Sequence, residues 1–163
     1  MPTTLTVVAR FVAVAQLVIA VALVGCGQGK RPFLLVQICF SDDQELAEFT
    51  HLLQSVALSE RMTYIDRSGP TEGELAVLNA PGKLAPAINI GLETPDGLGL
   101  GVGNLGLPKY QVAVGFSEGS RPTEARRFAD TVVQEFKARW HVETVPEGRG
   151  ALPIPDCLGH GGT

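Results

Sequence analysis

Gly97-Leu98-Gly99-Leu100-Gly101-Val102-Gly103 alternates without a break between glycine and a large apolar side chain. A period of two belongs to a strand, whose successive side chains point to opposite faces. The segment therefore reads as a strand with one greasy face and one bare face. Its neighbours repeat the pattern. Leu34, Val36, Ile38 and Phe40 share parity, as do Ile88, Ile90 and Leu92, and Tyr110, Val112, Val114 and Phe116. The opposite parity carries Ala87, Asn89 and Gly91, then the four glycines, then Gln111, Ala113 and Gly115. Such strands make a sheet with one face under cover and the other almost without side chains.

The cover comes from two helical stretches. Ser41-Asp42-Asp43-Gln44 has a capping-box spacing, and Leu46, Phe49, Leu53 and Val56 follow on one stripe, so residues 42–59 are expected to be helical. Residues 122–140 form the clearest helix, with Ala125, Phe128, Ala129, Val132, Val133, Phe136 and Trp140 on one side. A short helix is expected to open at Thr71-Glu72-Gly73-Glu74 and to stop at Pro81-Gly82. Strands are expected at 33–40, 62–65, 87–92, 97–103, 109–116 and 141–145. Two main helices on one face of a mainly antiparallel sheet define an α+β, two-layer ferredoxin-like sandwich with additions. The domain is expected to run over residues 33–146, with a Pro- and Gly-rich tail at 147–163.

Glycine inside a strand often marks the close approach of another backbone or a ligand. Asn89, Gly99, Gly101, Gly103 and Gln111 are therefore the candidate binding face, a platform for a partner segment, a small ligand or a glycan. The competing expectation is that the protein's own tail lies there.

The N-terminus limits where such a platform works. Residues 1–25 hold one charge, Arg10, and no acid. The apolar run from Phe11 to Val24 has the length of a signal-peptide core and is short of the ~20 residues a spanning helix needs. An ordinary secretory site wants small residues at −3 and −1, and Leu23 breaks that rule. Leu23-Val24-Gly25-Cys26 instead resembles the lipobox of bacterial lipoproteins. The resemblance implies a signal peptide over 1–25, cleavage before Cys26, and acyl chains on that cysteine. Two or three chains hold a domain at a membrane where one does not. Gly27, in place of an aspartate, implies outer-membrane sorting on the periplasmic side, with the inner membrane as the alternative. The resemblance stops at the tether, residues 26–32, and does not extend to the domain. Gly27 to Pro32 spans roughly 20 Å when extended, so the domain would sit close to the bilayer. With Cys26 acylated, Cys39 and Cys157 are the remaining thiols in an oxidising compartment, where they are expected to form a disulfide that draws the tail across the platform.

Thirteen Lys plus Arg against seventeen Asp plus Glu, a net charge of −4 over 163 residues, argues against a nucleic-acid partner. Three cysteines and three histidines do not make a zinc framework. Gly101-Val102-Gly103-Asn104-Leu105-Gly106 spells a dinucleotide fingerprint, but Pro108 and another strand follow where a helix is required. Asp42, Asp43 and Asp66 are weak carboxylate candidates for a hydrolase, and no catalytic residue, metal ligand or cofactor site is assigned. The expected role is that of a lipid-anchored envelope interaction protein, with a glycan-binding lipoprotein and a hydrolase as alternatives.

Overall fold

The computed structural model describes residues 31–77 and 87–155. The alternating segments become six strands: β1 (Leu34–Cys39), β2 (Thr63–Asp66), β3 (Asn89–Glu93), β4 (Leu98–Gly103), β5 (Gln111–Glu118) and β6 (His141–Thr144). Three helices join them: α1 (Asp43–Ser59), α2 (Ser68–Val77) and α3 (Pro122–Lys137). The sheet order is β2-β3-β4-β5-β1-β6, and every neighbouring pair is antiparallel. Strand directions therefore alternate across the sheet. β1 and β2 run the same way and are joined over α1, while β5 and β6 run the same way and are joined over α3, which crosses β1. This is a ferredoxin-like α+β sandwich in which a four-strand meander, β2 to β5, replaces the usual central hairpin.

One face of the sheet holds the core. Val36, Ile38, Ile90, Leu92, Leu100, Val102, Val112, Val114 and Phe116 are buried there against Phe49, Leu53 and Ala57 of α1 and Ala125, Phe128, Ala129, Val132 and Phe136 of α3. Phe40, Phe49, Phe136 and Trp140 form an aromatic cluster at one end, with centroids 5.1–6.3 Å apart in tilted and edge-on pairs. These are the residues the apolar parity and helical stripes select.

Two caps differ from the sequence expectation. α1 is capped by Asp42 rather than Ser41: its carboxylate accepts from the Glu45 N–H at 2.9 Å, and Glu45 reaches back to the Ser41 N–H at 2.7 Å. The box is shifted by one residue, which places acceptor carboxylates, stronger than a hydroxyl, at the positive end of the helix dipole. α2 begins at Ser68, not Thr71, because the Asp66 carboxylate accepts from the Ser68 N–H at 2.9 Å. Its expected stop at Pro81-Gly82 lies outside the described residues.

Candidate functional site

The face opposite the helices divides into a closed half and an open half. Over β1 and β5 the C-terminal segment crosses the sheet as a strap. Gln37 donates from Nε2 to the Leu152 carbonyl at 2.7 Å. Gln111 clamps Ile154 from both sides, donating to its carbonyl at 3.1 Å and accepting from its N–H at 3.0 Å. Gln111 is 1% exposed, Gln37 4% and Ile154 4%. A buried amide needs both its donor and its acceptor answered, and the strap's peptide groups answer both for Gln111 and the donor of Gln37. Gln111 therefore does not belong to an open binding face, and residues 147–155 are not a free tail. Cys39 faces Gln111 in register and is disulfide-bonded.

The glycines serve different ends. A β-carbon at Gly99 would stand 2.0 Å from the Leu92 carbonyl oxygen, so this buried glycine is required by the backbone of β3 and offers no surface. At Gly115 a β-carbon would meet the Pro32 ring at 3.1 Å, because the entering chain folds over that position. Gly91 and Gly101 have nothing within 4 Å among the described residues, and Gly103 meets only the Ile88 carbonyl at 3.7 Å. Gly91, Gly101 and Gly115 are in register across β3, β4 and β5. They make a smooth cross-strand row, filled by Pro32 at one end and uncovered at the other two positions among the described residues. Beside it lies a shallow cavity of about 390 Å³ lined by Leu35, Ile88, Asn89, Gly101, Gly103, Leu105, Leu107, Ala113, Gly115 and Ala151. Leu105 is 61% exposed at its rim. Asn89, also exposed, donates from Nδ2 to the Thr71 hydroxyl at 2.9 Å and so ties α2 to the edge of this face.

The candidate carboxylates do not converge. Asp42 caps α1, Asp66 caps α2, and Asp43 pairs with Lys109 at 2.8 Å, which holds that ammonium above its ordinary pKa. Asp42 follows β1 and Asp66 ends β2, four strand spacings or about 19 Å apart. His51 is exposed on α1, His141 contacts Glu143 at 3.2 Å, and His160 lies outside the described residues.

The most perturbed acid has a structural task. The Arg121 guanidinium grips Asp96 with Nε at 2.6 Å and Nη2 at 3.1 Å, and the Thr94 and Ser120 hydroxyls donate to the same carboxylate. Arg121 foremost, then Thr94, holds the Asp96 carboxyl well below the usual range. The cluster staples the β3–β4 turn to the loop entering α3. Gly119 sits there at φ +59°, where a β-carbon would lie 2.4 Å from the Leu98 nitrogen. This is fold architecture, a cross-link between two loops.

Sequence reasoning missed Gln37 and Leu105. Gln37 is the lone amide in the apolar run from Phe33 to Phe40, which was the available signal. Leu105 sits in a turn and carries no periodic pattern. Fold and surface together define an α+β sandwich with a half-strapped sheet face. No family model, curated protein or solved structure matches the chain.

Proposed function

We propose that the chain is a lipid-anchored interaction protein of the bacterial envelope, held at the periplasmic side of the outer membrane by acylated Cys26. Its contact surface is the open half of the glycine face, around Gly91, Gly101, Gly103 and Leu105. The observation that supports this is the contrast among the glycines. Gly99 and Gly115 have steric reasons inside the chain, whereas Gly91 and Gly101 have none among the described residues. Glycine weakens a strand, so an uncompensated cross-strand pair is consistent with the close approach of a partner's backbone. The apolar rim at Leu105 and Ile88 suits an extended polypeptide segment. In this proposal Cys39 pairs with Cys157, which keeps the strap over β1 and β5 and confines docking to β3 and β4.

The test is photo-crosslinking in cells from position 101, read by mass spectrometry, with Gly99 left intact. A crosslink to another envelope protein, lost in Leu105→Asp, supports the proposal. Crosslinks confined to the chain's own residues overturn it.

A further inference from the structure

A wide cleft opens where the described chain enters the domain. The Phe33 N–H donates to the Phe116 carbonyl and the Val145 N–H to the Leu35 carbonyl, both at 2.9 Å, so the incoming chain and the end of β6 are held side by side. Between them opens a cleft of about 760 Å³. Pro32, Phe33, Leu35, Val145 and Pro146 supply its apolar lining, and Arg31 and Glu147 are the charged residues that line it. The two prolines and Arg31 are exposed, and the remaining apolar lining is only half-buried.

We propose that this cleft and its apolar lips dock onto the lipid bilayer, so that the domain lies against the membrane in one orientation. The inference rests on the acylation of Cys26 proposed above. Only residues 27–30 separate Cys26 from Arg31. Five extended steps reach about 18 Å, so anchored acyl chains keep this end of the sheet near the headgroups, whatever the rest of the domain does. An apolar surface held at that depth gains by entering the boundary between headgroups and acyl chains. Phe33 and the proline rings supply that surface. Arg31 lays its stem along them while its guanidinium meets lipid phosphate. Leu58, 82% exposed where α1 leads into β2, lies on the helix-covered face four strands from β1 and is the reference position away from the cleft.

The experiment uses the full chain, produced in a lipid-modifying host and placed in phosphatidylethanolamine–phosphatidylglycerol vesicles containing lipids brominated along the acyl chain. Tryptophan is introduced as Phe33→Trp, as Pro146→Trp on the exposed lip, and as Leu58→Trp. The native Trp140 is buried in the core and supplies a constant background. Docking predicts that bromine quenches the signals added at 33 and 146 about twofold or more beyond the signal added at 58, since interfacial groups sit within ~10 Å of the bromines. Equal quenching at all three positions in vesicle-bound protein overturns docking and leaves the anchor standing. Emission at 33 that follows protein density rather than bromine content identifies a second copy as the occupant and also overturns it. Protein that stays off the vesicles, with Cys26 unmodified by mass, overturns the anchor and the docking together.

Discussion

Replacing Gln111 with leucine keeps the size of the side chain and removes both hydrogen bonds to Ile154. Each such neutral bond contributes about 0.5–1.5 kcal/mol net, so the pair holds the strap by about 1–3 kcal/mol. The ceiling is set by release: once the strap peels away, its peptide groups rehydrate and the penalty for burying them unpaired disappears. The consequence is local opening rather than global collapse, because β1 and β5 remain paired over six residue pairs without the strap. Hydrogen exchange reads this directly. The Ile154 amide should exchange about 5- to 150-fold faster in the variant, while the amides of Val112 and Val114 keep their protection. Gln111→Glu should behave similarly, since a carboxylate can accept from the Ile154 N–H but has no donor for its carbonyl. Unchanged exchange at Ile154 in Gln111→Leu would refute the strap as a hydrogen-bonded element.

Other perturbations separate the remaining parts of the structure. Gly99→Ala should destabilise by about 2 kcal/mol or more through its clash with β3, whereas Gly101→Ala should be neutral or stabilising by about 0.5–1 kcal/mol, with denaturant midpoints as the measure. Acidification below about pH 4 should progressively weaken the wild type, because a carboxyl with a depressed folded pKa contributes stability above its unfolded value and loses it as pH falls toward the folded one. Arg121→Ala should return the Asp96 titration toward the ordinary carboxylate range by carboxyl-carbon NMR and flatten that acid slope. Phe49→Ala, at the centre of the aromatic cluster, should remove about 3–5 kcal/mol in equilibrium unfolding. Cys157→Ser should lower stability under oxidising conditions by at most about 4–5 kcal/mol, and under reducing conditions by little, if Cys157 is the partner of Cys39.

The sheet was legible because its two faces differ so sharply. Parity alone separates Val36, Ile38, Val112 and Val114 from Gln37, Gln111 and the glycines, and the structure buries the first set under α1 and α3. Parity says nothing about which strand lies beside which, and it cannot tell a glycine that serves its own neighbours from one that leaves open space. Gly99 and Gly101 are identical in pattern and opposite in consequence, because the difference lies in how closely the β3 backbone passes. Gln111 failed as a surface residue for a related reason. A polar side chain on a sheet face reads as exposed until some other segment is known to satisfy it, and that segment lies 43 residues further along the chain. The cap of α1 was ambiguous by one residue, since Ser41 to Glu45 contains two overlapping boxes.

β1 lies between β5 and β6, the last two of the described strands in chain order. The first strand of the domain therefore waits for residues 111–118 before it gains a neighbour, and for residues 141–144 before it gains a second. Contacts so distant along the chain form slowly, because a long loop must close before any pairing repays it. A chain emerging N-terminus first carries β1 unpaired for most of its length. The β2–β5 strands can pair among themselves first, but the sheet is not complete until residues 141–144 close it on the far side of β1.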